Sequence, residues 1–304
     1  MSFSLKILGC SSATPTPNRY STAQVLNVLE RFFLIDCGEG AQIRMRQYKI
    51  NPLRINHIFI SHLHGDHYLG LPGLISSMGL QGRTNDLHIY ANHQLETLIN
   101  CFLDTFDHPI GFNIIFHHLE YSGLNLLYED DKLTIYSFPL RHRIPTCGFL
   151  FKEKNRLRHL NGEMAKALEI PISKLQSIKE GADYTSPDGR FFENKFLTKD
   201  PEPPHSYAFV SDTVKLNKIV PWIDGVDLLY HEATYANDNA ERAKTMHHST
   251  ARQAAEIAAS ANVKRLLIGH YSNRYKDLTI LQNEARQVFA ETYLTNDGDE
   301  FEVK

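Results

Sequence analysis

The stretch Ser61-His62-Leu63-His64-Gly65-Asp66-His67 decides the interpretation of this chain. It follows a predicted buried strand and precedes a predicted helix. In an extended segment, residues two apart point the same way, so His62 and His64 face one point. Gly65 lets the chain bend, so Asp66 and His67 can face a second, neighbouring point. Three imidazoles and one carboxylate suit Zn²⁺, with Mn²⁺ or Fe²⁺ as alternatives.

Four ligands cannot complete two metal sites, and further candidates stand where later apolar strands are predicted to end. They are His142, Asp212 and His270. Polar residues at such strand ends commonly form the sites of layered α/β folds. Asp212 could instead cap a turn, and a lone histidine is usually an ordinary surface or core residue. The completed ligand count favours the metal site.

Composition narrows the class of protein. The chain has 304 residues, 42% of them hydrophobic, and a net charge of −3, so it is expected to be globular and to lack a general basic field. Its four cysteines form no CxxC pair, which argues against a cysteine zinc site and favours a reducing cytoplasm. We expect no secretion signal and no membrane span.

The HxHxDH motif, followed by the isolated His, Asp and His, resembles the ligand pattern of the metallo-β-lactamase superfamily. This resemblance implies an α/β fold, a four-layer αββα sandwich, with a dinuclear site at one edge. It implies that His62, His64 and His142 hold one metal, and that Asp66, His67 and His270 hold the other. Asp212 would bridge them. The implied cofactor is two Zn²⁺ per subunit.

Further short motifs, spread over nearly the whole chain, resemble those of the short form of the tRNA 3′-endonuclease family, ribonuclease Z. They cover Phe33–Gly40, His67–Leu74, Leu140–Pro145, His231–Thr234, His248–Thr250 and His270–Tyr275. The resemblance implies an endoribonuclease that removes the 3′ trailer from precursor tRNA, leaving a 3′-OH on the tRNA and a 5′-phosphate on the trailer. It also implies a homodimer.

The domain prediction is a single domain over 1–304 with an inserted flexible arm over 152–205. The arm is charged, proline-bearing and weakly periodic, with one short helix candidate around Met164–Leu168. A structureless loop of that length is rare and usually functional, and the resemblance implies a tRNA-binding exosite. The arm lacks the Gly-Pro-rich motif that is usual in the family.

Phosphodiester cleavage needs an activated water and a proton for the departing oxygen. The resemblance assigns the water to Asp66, and we predict His248 as the proton donor, held by Glu232. Glu232 could instead anchor only a backbone amide. Asp36, at a strand end, is predicted to support a ligand histidine.

Substrate RNA must also be held. Six Lys/Arg residues and the single acid Glu153 lie between Arg141 and Arg158, a net charge of +5. Such a run could be only a solvated face, although it adjoins His142. Arg19, Arg143 and Arg274 are the predicted substrate-binding residues. The alternative function is a metallo-β-lactamase-fold phosphodiesterase or other hydrolase for a small substrate, which would not need a long arm.

Overall fold

The computed structural model describes residues 3–105 and 109–304, and most of its strands form two seven-stranded sheets. Strand order in the first sheet is β18-β1-β2-β3-β4-β5-β6. These strands are β1 (Phe3–Gly9), β2 (Ala23–Val28), β3 (Arg31–Cys37), β4 (Ile55–Phe59), β5 (Leu87–Ala91), β6 (Ile114–His118) and β18 (Glu300–Glu302). Strands β3 to β6 are parallel, as expected for near-continuous apolar runs.

The second sheet has the order β17-β16-β15-β14-β9-β8-β7. Its strands are β7 (Asn125–Glu129), β8 (Leu133–Pro139), β9 (Cys147–Glu153), β14 (Ser206–Val210), β15 (Leu228–Glu232), β16 (Arg265–Gly269) and β17 (Thr292–Leu294). Strands β14 to β17 run parallel, so their carboxyl ends meet at one edge of the sheet.

Buried aromatic side chains hold the two sheets face to face. The ring of Phe59 lies 5.4 Å from that of Phe149 and 5.5 Å from that of Phe151, and Phe33 lies 5.9 Å from Phe151. Edge-on pairs of this kind add about 0.5–1.5 kcal/mol each beyond the area they bury. The strands therefore share one aromatic core.

Helices cover the outer faces of both sheets. Those of the main body are α1 (Ala41–Gln47), α2 (Gly65–Tyr68), α3 (Leu71–Leu80), α4 (His93–Leu103), α8 (Ala240–Met246), α9 (Ala251–Ser260) and α10 (Thr279–Arg286). Helices α1, α3 and α4 bury apolar side chains in one cluster with the first sheet, and α9 contacts β15 and β16. The predicted four-layer αββα sandwich is confirmed. None of the described helices is long and apolar enough to cross a bilayer.

The start of α9 is fixed by a capping box. The Thr250 hydroxyl accepts from the Gln253 amide at 3.2 Å, and the Gln253 side-chain oxygen accepts from the Thr250 amide at 3.0 Å. These bonds satisfy two backbone donors that the helix leaves free. They also hold the chain directly after His248.

The arm is a folded unit rather than a structureless loop. Contacts group residues 153–204 with 130–133, apart from the main body. Its elements are β10 (His159–Leu160), α5 (Gly162–Ala167), α6 (Ile172–Lys179), β11 (Tyr184–Thr185), β12 (Phe191–Phe192), α7 (Asn194–Leu197) and β13 (Thr198–Lys199). A small core made by Ile178, Tyr184 and Leu197 holds them together. The helix predicted around Met164–Leu168 corresponds to α5, whereas the other elements of the arm are too short to leave a clear periodicity in the sequence.

Ion pairs reduce the charge of the basic run. Arg156 lies 2.8 Å from Glu153, and Arg158 pairs with Asp200. Both pairs lie within the arm. Arg141 and Arg143 belong to the main body and are exposed there. Because the net charge of +5 already counts Glu153, only the second of these pairs, with Asp200, neutralises a further charge of this run.

Candidate metal centre

Strand ends bring the predicted ligands to one edge of the sandwich. His62 follows β4, His142 follows β8, Asp212 follows β14 and His270 follows β16. These positions are far apart in sequence but adjacent in the two sheets.

The quoted motif adopts the predicted bend. His64 is extended at the start of α2, and the next two residues, Asp66 among them, stand in the first turn of that helix. The His67 amide donates to the His64 carbonyl at 3.0 Å, which closes this turn. The motif thus presents two pairs of side chains in neighbouring directions.

One group of donor atoms comprises His62, His64, His142 and Asp212. The Nδ1 atom of His64 lies 3.1 Å from the Nε2 atoms of both His62 and His142. Asp212 Oδ2 lies 3.6 Å from His62 Nε2 and 3.8 Å from His142 Nε2. Four donors on a tetrahedral Zn²⁺ lie roughly 3.3 Å apart, given bonds of about 2.0–2.1 Å. The distances between donor atoms in this group, 3.1 to 3.8 Å, are therefore close to those around a bound Zn²⁺.

A second group comprises Asp66, His67 and His270. Asp66 Oδ2 lies 3.6 Å from His67 Nε2 and 3.3 Å from His270 Nε2. The other oxygen of Asp212, Oδ1, faces this group, at 3.6 Å from His67 Nε2 and 3.2 Å from His270 Nε2. Asp212 therefore offers one oxygen to each group, as a bridging ligand would.

Two unpaired atoms test whether a metal fits. His67 Nε2 and Asp212 Oδ1 are buried, and neither has a hydrogen-bond partner among the described residues. Buried polar atoms are normally paired, because leaving one unsatisfied costs about 1–3 kcal/mol. Both atoms point into the second group, where a cation would satisfy them. Nitrogen and carboxylate donors are those that Zn²⁺ takes, so the residues present fit the metal.

Burial prepares two first-group histidines as neutral ligands. It lowers the pKa of His62 far below its usual range and, against the opposing charge of Asp212, lowers the pKa of His142 to about 4. Because the metal binds the neutral ring, neither histidine has to lose a proton at neutral pH.

The second group is strongly negative. Burial opposes charge there, but the carboxylates of Asp66, Asp36 and Asp212 outweigh it and raise the pKa of His67 to about 10. The pKa of Asp66 falls, since His67 and His270 overcome its own burial. An environment that holds a proton this tightly also attracts a metal cation.

Asp36 supports the ligand His67, the partner that the sequence prediction left unspecified. Its Oδ2 atom accepts from His67 Nδ1 at 2.7 Å, and its Oδ1 atom accepts from the Ser61 amide at 2.8 Å. Asp36 has φ 54°, a strained left-handed conformation that directs it inward from the end of β3. On the opposite side, His142 Nδ1 donates to the His247 carbonyl at 2.8 Å.

The buried Glu232 and the partly buried His248 form a pair beside the metal ligands. Glu232 Oε1 accepts from His248 Nδ1 at 3.0 Å and from the Ser249 amide at 2.8 Å. Glu232 thus anchors a backbone amide and also contacts His248. Burial opposes the charge on His248, but Glu232 and Asp212 outweigh it and raise the pKa of His248 to about 9. At neutral pH this ring carries a proton that it can donate.

A cavity of about 480 Å³ opens over both groups. His64, Asp66 and His248 line it, as do the predicted substrate-binding residues Arg143 and Arg274. Arg242 in α8 also lines the cavity, and sequence reasoning missed it. The sequence around Glu241 does not indicate which residue of this helix lines the cavity.

Arg19 does not reach the cavity, although we predicted that it binds substrate. Its Nη1 atom donates to the Tyr275 carbonyl at 3.1 Å, and its guanidinium lies 5.8 Å from the centre of the Tyr271 ring. Arg19 therefore fixes the loop after His270. Its partners lie more than 250 residues away in sequence, so its position in an N-terminal loop could not reveal this role.

Comparisons with known proteins found chains of similar sequence and structures of similar fold. Residues 3–106 match the family model described as Anti-Pycsar protein Apyc1. A relative from Bacteroides fragilis named Ribonuclease Z is 48% identical over 296 residues, which cover 97% of each chain. The solved human tRNase Z, short form, has a TM-score of 0.74 and 26% identity and covers 99% of each chain. The metallo-β-lactamase fold protein YhfI from Bacillus subtilis has a TM-score of 0.70 and 16% identity, and covers 99% of this chain and 100% of its own; it shows the fold alone.

Proposed function

This chain belongs to the ribonuclease Z family, and from that membership we propose that it is a metal-dependent endoribonuclease that removes the 3′ trailer from precursor tRNA. The observation that carries the proposal is the pair of donor groups that share Asp212 beneath a cavity flanked by arginines. The finer proposal is that the tRNA keeps a 3′-OH and the trailer a 5′-phosphate.

We infer two Zn²⁺ per subunit, one held by His62, His64 and His142 and one by Asp66, His67 and His270, with Asp212 between them. When bound, the ions would lower the pKa of water and stabilise negative charge on the attacked phosphate. Mn²⁺ and Fe²⁺ take similar ligands and are the alternatives.

Two side chains of this protein handle the protons. The Asp66 carboxylate accepts the proton of the attacking water as the water oxygen bonds to phosphorus. Asp66 Oδ2 is already fixed by the Ala13 amide at 2.7 Å. The bond between phosphorus and the 3′-oxygen then breaks. His248 Nε2 donates its proton to that oxygen while Glu232 holds Nδ1, and the tRNA leaves as the 3′-alcohol.

Precursor tRNA, a homodimer and the cytoplasm complete the proposed setting. The first follows from the name of the relatives, the homodimer rests on the family resemblance stated above, and the cytoplasm rests on the cysteine usage. The alternative, hydrolysis of a small substrate, is favoured by none of the contacts that we describe, and a folded arm of about 50 residues argues against it.

Incubation with a precursor tRNA tests this function directly. We expect a single cut, mapped at the 3′ end of the tRNA body, that disappears with a chelator and returns when Zn²⁺ is added. End-labelling should find a hydroxyl on the tRNA and a phosphate on the trailer. An intact precursor, with hydrolysis of small phosphodiesters alone, would favour the alternative instead.

Substitution of His248 tests the proton donor. We expect His248→Ala to lower the cleavage rate by about 10²–10⁴-fold, the usual contribution of general acid catalysis. Zinc content, measured by elemental analysis, should stay near that of the unaltered protein. His118→Ala is a matched control, because His118 is an exposed residue of β6 that pairs with Glu96. Unchanged cleavage by His248→Ala would remove His248 from the mechanism.

A further inference from the structure

The buried hydroxyl of Thr234 lies between a carboxylate and a candidate metal ligand. Thr234 Oγ1 lies 2.8 Å from Glu232 Oε2 and 3.0 Å from His270 Nδ1. Thr234 is 2% exposed, Glu232 0% and His270 2%, so water does not compete for these bonds. Neither the metal-ligand set nor the proton-donor pair described above assigns a role to Thr234.

The protons in this chain of contacts can be assigned. His270 Nε2 faces Asp66 and Asp212, where the proposed metal would lie, and it would have to present its lone pair to bind that metal. The proton of the ring then sits on Nδ1 and is donated to Thr234. Thr234 donates its own proton to Glu232, which is the acceptor when ionised. Removal of the hydroxyl would leave His270 Nδ1 without this acceptor.

The same Glu232 contacts His248 through its other oxygen, at 3.0 Å. One carboxylate thus reaches the metal ligand His270 through Thr234 and the candidate proton donor His248 directly. Three backbone amides, those of Thr213, Thr234 and Ser249, also donate to Glu232 and fix its orientation. Glu232 is therefore a rigid anchor for both imidazoles.

A similar arrangement, in which a hydroxyl links a carboxylate to a histidine, lies on the other side of the metal centre. Ser61 Oγ lies 3.0 Å from Asp36 Oδ2 and 3.1 Å from His62 Nδ1, while Asp36 contacts His67 directly. A buried carboxylate again serves one histidine directly and another through a hydroxyl. This recurrence, in two unrelated segments of the chain, argues that the hydroxyls orient ligands rather than merely fill space.

We propose that Thr234 is a positioning residue for metal binding. Its hydroxyl, held by Glu232, fixes the orientation of the His270 ring, and this orientation sets the affinity of the second group for its metal ion. This inference rests on the proposed metal centre. Partners that orient a ligand typically change metal affinity by about 10–100-fold. The first group, which has no contact with Thr234 in the described residues, should keep its affinity.

The test compares Thr234→Val, which has a similar shape but no hydroxyl, with Thr234→Ser, which keeps the hydroxyl. Zn²⁺ is titrated into each metal-free protein in competition with a chromophoric chelator, without RNA. We expect Thr234→Val to weaken one of two ions by about 10–100-fold, and Thr234→Ser to stay within a few-fold of the unaltered protein. His270→Ala is the reference for loss of the second ion, and His142→Ala for loss of the first.

Each outcome decides the proposal. Loss in Thr234→Val that matches the His270→Ala pattern, with recovery in Thr234→Ser, supports the relay. Wild-type affinity for both ions in Thr234→Val overturns it, as does an unaltered protein that binds only one ion or equal weakening by Thr234→Ser. Because no RNA is present, failure of tRNA cleavage would overturn the proposed function and leave this result unaffected.

Discussion

Asp66→Ala is expected to lower the rate of precursor cleavage by at least about 10³-fold, since it removes a proton acceptor and a metal ligand together. In the structure, Asp66 Oδ2 lies within 3.6 Å of both histidines of the second group. Neither of the other carboxylates near His67 offers a replacement. Asp212 already faces both groups, and Asp36 accepts from His67 Nδ1 and the Ser61 amide. Single-turnover cleavage measures the loss.

RNA binding by Asp66→Ala should persist, because the arginines that line the cavity are unchanged and one negative charge has been removed. A filter-binding or anisotropy titration measures this, and we expect affinity within a few-fold of the unaltered protein. Asp66→Asn is the matched variant, with the same shape but no charge, and should also lose turnover. Cleavage near the wild-type rate in either variant would contradict the role of Asp66.

The sequence predicted which side chains lie together because suitable residue types stand at strand ends. His62 follows β4 of the first sheet, whereas His142 and His270 follow β8 and β16 of the second, so these residues gather at an edge to which both sheets contribute. The residue types supplied the candidates, and the resemblance to the metallo-β-lactamase superfamily implied how they divide into two groups. The structure brings each group together and places Asp36 against His67.

The hydroxyl relays could not be predicted in the same way. Thr234 and Ser61 are ordinary residues beside motif residues, and their role depends on hydrogen bonds to His270 and His62 that only the packed structure defines. Arg242 was missed because a helix places its residues around a full turn, and sequence does not indicate which face is inward. The hydrogen bonds of Arg19 could not be predicted because its acceptors are carbonyls, which every residue carries, and its contact with substrate stays a prediction.

The second large effect concerns the arm. We expect deletion of residues 155–200 to lower kcat/KM for precursor tRNA by at least about 100-fold, equivalent to roughly 2.7 kcal/mol, while hydrolysis of a small chromogenic phosphodiester stays within a few-fold. Contacts far from the reacting phosphate are lost, but the ligands of the metal centre all lie in the main body.

The main body should tolerate this deletion. Strands β9 and β14 are antiparallel neighbours, and Lys152 pairs with Ser206. Glu153, Lys154 and residues 201–205 remain to connect these two positions, and this connection is well below the length of about 12–15 residues above which loops become uncommon in compact domains. The small apolar core of the arm is removed as a whole, so no apolar face of that unit is left behind.

The arm is expected to bind RNA by more than charge. Its residues 153–204 carry equal numbers of acidic and basic side chains, and all three of its arginines pair with carboxylates. Phe191 is 61% exposed and Phe196 57% exposed, and such rings can stack on bases. We therefore expect the loss of activity on deletion to persist at high salt, whereas a purely electrostatic contribution would shrink.

Equal activity of the deleted and full-length proteins on precursor tRNA would refute the exosite. Equal loss on precursor tRNA and on the small phosphodiester would mean that the main body itself had been damaged.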